Sequence, residues 1–158
     1  MLHLEFNSES ENEGIARIVT SAYIMRFDPD MEEMEDVKTA VSEAVTNCIV
    51  HAYFDENGKI EMDISDKEQI VKIEITDHGI GIPDDKMEEL NAYNAKDSEA
   101  LYRVQTQSQG DRTHLGVINV ISRLKLYYQE NAEVIYTRNK TGGTTVKIKI
   151  KTASERHE

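Results

Sequence analysis

Two short segments carry side chains whose types and spacing suit phosphate chemistry. Within residues 36–52, Glu43, Asn47 and His51 follow one another at i, i+4 and i+8. At about 100° per residue they stack along one line of a helix. A carboxylate can take a proton from a hydroxyl, and an amide oxygen one turn away offers a neutral ligand to a hard metal ion. His51 reads first as a structural histidine at the rim. The plain alternative is a solvated helix face with the same spacing. Two details weigh against it: Asn is a poor helix former and needs a reason to sit mid-helix, and no Lys or Glu pairs follow Glu43. The second segment is Asp77-His78-Gly79-Ile80-Gly81-Ile82-Pro83. Its glycines permit positive φ and a close approach of backbone to a ligand, and its Asp can accept from an exocyclic amine. A simple turn would also use Asp and Gly. The spacing matches neither a Walker nor a Rossmann fingerprint.

The elements around these segments can be read from periodicity. Leu2, Leu4 and Phe6 alternate as a short strand. Ser10 with Glu13 predicts a capping box and a helix whose apolar face is Ile15, Ile18, Val19, Ala22, Tyr23 and Phe27, serving the core in the first reading and a dimer face in the second. Asp30 with Glu33 predicts the start of a second helix, running to about Tyr53, with Val37, Val41, Ala44, Val45, Cys48 and Ala52 as its apolar stripe. Ile60, Met62, Ile64 and then Val71, Ile73, Ile75 predict a hairpin. Pro83 opens a short helix carrying Met87 and Leu90. From about 91 to 115 the chain is polar and aperiodic, which predicts a mobile lid. A third long helix, Gly116 to Tyr128, turns Val117, Val120, Ile121, Leu124 and Tyr128 inward. Two strands follow, around Val134 and Tyr136 and then Val146, Ile148 and Ile150, joined at Thr141-Gly142-Gly143. One domain over 1–151 and a polar tail over 152–158 result. The fold class is α+β, a two-layer α/β sandwich with a mixed, mostly antiparallel sheet and helices on one face.

Composition narrows the partners. Asp and Glu total 30 against 18 Lys and Arg in 158 residues, a formal charge of −12. Such a field repels nucleic acids and anionic membranes, and an anionic ligand would need local help from a metal, backbone N–H groups or placed cations. No apolar run is long enough to span a bilayer, and no basic region followed by an apolar stretch opens the chain. A single cysteine, Cys48, in an apolar pattern reads as a buried thiol in a reducing compartment. A cytoplasmic protein is expected.

Taken in order, Glu43-x-x-x-Asn47, Asp77-x-Gly79-x-Gly81, the polar lid and Gly143-Thr144-Thr145 resemble the GHKL superfamily of ATPases and kinases, which has the Bergerat fold. The resemblance spans nearly the whole chain. It implies ATP and Mg²⁺ as ligands. It places Glu43 by the γ-phosphate as base, Asn47 on the metal, Asp77 on the adenine amine, Gly79 and Gly81 beneath the nucleotide, and Thr144 in support of adenine. It also has the N–H groups of the helix starting near Gly116 facing the phosphates. Such lids usually end in a glycine-rich run. Here Arg112 and His114 stand where glycines are common, so Arg112 is either a phosphate donor or a solvent-exposed lid charge.

The two halves resemble different branches. Residues 1–53, above all Lys38 to Asn47, are similar to the anti-sigma-F factors, stand-alone serine kinases that bind a sigma factor, phosphorylate an anti-anti-sigma partner and form homodimers. Residues 115–150, above all Gly116 to Tyr128, are similar to sensor histidine kinases, which act with a phosphoacceptor domain. Val50 stands where histidine kinases often carry lysine, and His3, His51, His78, His114 and His157 form no phosphoacceptor helical hairpin. The serine kinase is therefore the first expectation, a histidine kinase domain the second, and a nucleotide-binding module without transfer the third.

Overall fold

The computed structural model describes residues 1–54, 56–107 and 112–152, the side chains of Arg112, Thr113 and His114 excepted. Five strands, β1 (Leu2–Asn7), β2 (Lys59–Lys67), β3 (Ile70–Asp77), β4 (Ala132–Arg138) and β5 (Thr144–Lys151), form one sheet in the order β1-β2-β3-β5-β4. The mostly antiparallel sheet expected is antiparallel at every described pairing, with Ile64 opposite Ile73 and Ile75 opposite Val146. Because side chains alternate across a strand, these registers gather Ile60, Met62, Ile64, Val71, Ile73, Ile75, Val146, Ile148 and Ile150 on one buried face. Charged residues occupy the other, including the Lys72–Glu74–Lys147 group.

Helices α1 (Ser10–Ile24), α2 (Met31–Asn47), α3 (Asp84–Ala92), α4 (Ser98–Gln107) and α5 (Arg112–Tyr128) complete the chain's second layer. α2 begins with the reciprocal capping box of Asp30 and Glu33, at 2.8 and 3.0 Å, worth about 1 kcal/mol. The hairpin turn at Glu68 and Gln69 has both residues at positive φ, as the right-handed twist of a two-residue hairpin requires. The β4 edge of the sheet is covered by two asparagines. Asn91 exchanges both amide hydrogen bonds with Tyr136 at 2.8 and 2.9 Å, and Asn94 does the same with Val134 at 2.6 and 2.9 Å. These side chains stand in for a neighbouring strand.

Four sequence expectations change. First, no Ser10 capping box forms: Glu9 is the N-cap without a side-chain bond, and the adjacent Ser8 ties the chain to Gly58 instead. Second, the face of α1 is rotated. Ile15 is 50% and Ile18 70% exposed, Ala22 is exposed too, and Ala16, Thr20, Tyr23 and Ile24 are buried. Thr20 is admitted to the core because its hydroxyl donates to the Ala16 carbonyl at 2.8 Å, while small Ala16 lets the helix settle close. Third, α2 stops as an α-helix at Asn47 and continues as a π-turn over Cys48–Ala52. Fourth, the polar segment after residue 91 is not structureless. It contains a 3₁₀ turn at Tyr93–Ala95 and α4, pinned by fully buried Leu101. Lys125 of α5 also donates to the carbonyls of Asn94 and Lys96. The segment's proposed mobility and the polar tail involve residues 108–111 and 153–158, which lie outside the described residues.

Candidate functional site

The cavity sits where the end of α2 meets the loop after β3. It holds about 320 Å³ and is lined by Ala44, Asn47, Cys48, His51 and Ala52 from α2 and its π-turn, and by Phe54 beyond it. Asp77, Ile80, Gly81, Ile82 and Pro83 come from β3 and its loop, Lys86 and Leu90 from α3, Val117 from α5, and Tyr136, Thr144 and Val146 from β4 and β5. Its walls are mostly apolar with a few converging polar groups, as a small-molecule site requires.

Asp77 is the most constrained of these groups. Its side chain is at the last position of β3, facing inward, and only 5% of the residue is exposed. Oδ1 accepts from the Gly79 N–H at 3.0 Å and the Thr144 N–H at 3.2 Å, and Oδ2 accepts from the Cys48 thiol at 3.6 Å. Burial, and then the charge of Asp77, pushes the Cys48 thiol well above its ordinary value, so the thiol keeps its proton and donates. A carboxylate bound by three donors is an acceptor only. Any ligand group meeting it must donate, which an exocyclic amine does and a carbonyl does not.

The loop that follows is tied down on both sides. The Ile80 N–H donates to the Ala52 carbonyl at 3.1 Å, and a Cβ on Gly79 would lie 2.1 Å from that oxygen. Gly81 is at φ +74°, where L side chains are strained, and lies against the Gly142 carbonyl. Thr144 Oγ1 accepts from the Ile82 N–H at 3.2 Å. Arg138 donates to the Ile82 carbonyl and to Asp84 Oδ1, both at 2.9 Å. The Tyr53 hydroxyl donates to the Lys59 carbonyl at 2.5 Å and accepts from the His78 N–H at 2.6 Å. Asn139 donates to the Asp77 carbonyl at 2.7 Å. Ala52 ends the π-turn, where the last carbonyls have no partner within the helix, so its carbonyl is available to the loop.

Glu43 lies one turn before Asn47 on α2, beside the cavity lining and not in it. Its carboxylate rests against α5: a Cβ on Gly116 would lie 2.0 Å from Glu43 Oε1. Burial raises the Glu43 carboxyl above its ordinary value, and His51 partly offsets this. A raised carboxyl is a better proton acceptor. Burial, with the Glu43 charge adding to it, raises the Tyr136 phenol strongly.

Of the residues singled out from sequence, Asn47, His51, Asp77, Gly81 and Thr144 meet at the cavity, with Glu43 adjoining. Gly79 packs behind the loop, against the π-turn. Gly116 differs from expectation. α5 begins at Arg112, so Gly116 is inside the helix, its N–H committed to the helical ladder, and its lack of a side chain makes room for Glu43. The Arg112 side chain, with its expected phosphate contact, lies outside the described residues. Cys48, Phe54, Lys86 and Tyr136 were not expected at the site. Cys48 was assigned to the core from its place in the apolar stripe, and it is both core and cavity wall. The other three carry no spacing signal. On the sheet's open face, His3, Glu5 and Glu61 stand close enough to share a metal ion. They are already paired, with Asp63, Lys59 and His78 respectively.

Comparison with known proteins gives the family and the fold. The family described as the histidine kinase-like ATPase domain matches residues 6–122. The chain is 43% identical over 84 residues to an anti-sigma F factor of Geobacillus kaustophilus, covering 52% of this chain and 58% of that protein. It is 55% identical over 86 residues to an anti-sigma F factor of Clostridium botulinum (strain Eklund 17B / Type B), covering 52% and 59%. The match thus spans under two thirds of the length of these curated relatives. Among solved structures, the nucleotide-free catalytic domain of histidine kinase ThkA superposes with a TM-score of 0.55 at 18% identity, covering 98% of this chain and 100% of that one. That likeness establishes the fold, the α+β sandwich expected of the GHKL superfamily. No helix among the described residues is long and apolar enough to cross a membrane.

Proposed function

We propose, since the chain belongs to the histidine kinase-like ATPase family, that it binds ATP with Mg²⁺ between α2 and residues 77–83 and transfers the γ-phosphate to a serine of a partner protein, as a cytoplasmic anti-sigma-factor kinase. The observation that carries this reading is Asp77. Its carboxylate is an acceptor only, held by two N–H groups and a thiol on the wall of an apolar cavity. Such a group selects an adenine amine over a guanine carbonyl. Thr144 holds both Asp77 and the loop and so supports the base indirectly. Glu43, raised by burial, accepts the proton of the attacking hydroxyl.

The site residues fit the metal. The Asn47 side-chain oxygen, a neutral hard donor on the cavity wall, would hold it. Mg²⁺ when bound neutralises phosphate charge, which a chain of net charge −12 needs in order to accept ATP. Lys86, also on the cavity wall, adds one local cation. The partners, by the resemblance of residues 1–53 and the name of the relatives, are a sigma factor and an anti-anti-sigma factor.

A second reading, the ATP-binding domain of a sensor histidine kinase, is supported by the run Gly116 to Tyr128 and by the likeness to ThkA over nearly the whole chain. A nucleotide-binding module without transfer is disfavoured because Glu43, Asn47 and Asp77 are all present. Incubation with γ-labelled ATP, with and without a candidate acceptor, separates the three. Label on a partner serine is expected. Label on a histidine of the chain or of a phosphoacceptor domain supports the second reading, and nucleotide uptake with no transfer supports the third.

A further inference from the structure

Phe54 lines the cavity, exposed, in a backbone conformation that is costly for its side chain. Its φ is +45°, a left-handed backbone that is unusual for a bulky residue. The preceding residues fix it there: the Ala52 carbonyl receives Ile80, and the Tyr53 hydroxyl bridges Lys59 and His78. The residue is nonetheless 70% exposed, so its ring buries little apolar area in return. Ile80, on the glycine loop, is 62% exposed. Both line the same cavity as Asp77. Strained, exposed side chains at a cavity mouth mark places where a ligand completes the packing.

We propose that Phe54, with Ile80, is the specificity lip of the nucleotide site: the two close on the exposed part of the purine whose amine Asp77 accepts. The ring then supplies base-stacking area and contributes nothing to the phosphates. This inference rests on the nucleotide reading given above. It makes Phe54 a positioning residue for the base, independent of Glu43 and Asn47.

The test uses the full chain and three substitutions. Phe54→Gly removes the ring and relaxes the backbone, because glycine accepts φ +45° freely. It should melt at or above the wild-type temperature while its affinity for Mg-ATP falls about tenfold, the loss typical of one base–aromatic stack. Phe54→Tyr should retain the wild-type affinity. The chain contains no tryptophan, so Phe54→Trp places a single indole at the lip; its emission should change on adding Mg-ATP and stay constant on adding inorganic tripolyphosphate. A purely structural role would lower melting temperature and affinity together. Equal ATP affinity in wild type and Phe54→Gly would overturn the lip while leaving the nucleotide reading intact, and would point to the exposed ring as a protein contact. An equal loss for tripolyphosphate would also overturn it. Absence of ATP uptake by the wild-type chain would overturn both.

Discussion

Gly79 and Gly116 are crowded to the same degree by different neighbours. A Cβ on Gly79 would meet the Ala52 carbonyl oxygen at 2.1 Å, and one on Gly116 would meet Glu43 Oε1 at 2.0 Å. The first obstacle is backbone, held by the Ile80 N–H and the Tyr53 anchor. The second is the end of a flexible side chain. The contrast extends to the whole site. On the loop side, Asp77, Thr144, Arg138 and Asn139 fix backbone to backbone through hydrogen bonds. On the helix side, a carboxylate that burial makes reluctant to ionise faces the surface of α5. The proposed recognition of the base therefore needs little rearrangement, whereas the group proposed to do the chemistry sits where a small shift of α5 changes its surroundings.

The largest expected effect is on the helix side. Glu43→Gln should keep Mg-ATP affinity and lower transfer by about 10²–10⁴-fold, the usual contribution of a general base. Equal loss of binding and transfer would remove Glu43 from that role. On the loop side, Asp77→Asn should weaken ATP binding by about 10–100-fold, the value of a hydrogen bond to a charged group, while far-ultraviolet circular dichroism stays native. Unchanged affinity would mean that Asp77 is structural.

The two glycines sharpen the comparison directly. Gly79→Ala should lower the melting temperature by roughly 3–10 °C, because the Ala52 carbonyl cannot yield without breaking the loop's ties. Gly116→Ala should leave it within about 3 °C, since alanine favours the helix and the Glu43 side chain can turn aside. It should still reduce transfer, because the displaced carboxylate is the proposed base. If Gly116→Ala melts much lower than Gly79→Ala, the assignment of a rigid loop side and a yielding helix side is reversed.

The smallest effect concerns pH. The folded-state pKa of Glu43 is raised above its ordinary value of 4.5, so ionising it opposes folding. That cost is absent below the unfolded value and grows as pH rises through the folded one. Glu43→Gln should therefore melt above wild type at about pH 7, with the difference disappearing near pH 4. A difference that grows toward acid would contradict the burial of this carboxyl.

The sheet, α2 and the inward face of α5 were legible because each carries a repeating apolar pattern over several turns or strand positions, and α3 because Pro83 stands just before it with Met87 and Leu90 following. The face of α1 was misread because Thr20, a polar residue with a local hydrogen bond, takes a core position that isoleucine was expected to hold. α4 was invisible since one buried residue, Leu101, makes no period. The cavity-lining residues on regular elements, Asn47, Asp77 and Thr144, were singled out by motif. The Cys48 contribution and the Phe54 lip depend on where a π-turn and a left-handed residue aim the chain, and no spacing rule encodes that. The inner position of Gly116 in α5 was missed because Gly110 to Leu115 was read as the end of the lid, although Asp111, an N-cap residue type, immediately precedes Arg112 in the sequence.

Calorimetric titration of the full chain with ATP and with GTP, each with and without Mg²⁺, bears most directly on the site between α2 and the glycine loop. The expected result is uptake of one magnesium-dependent equivalent of ATP and at least tenfold weaker uptake of GTP, because the buried Asp77 carboxylate repels a carbonyl oxygen where it accepts an amine. Equal affinity for the two nucleotides, or no uptake of either by folded protein, would contradict it.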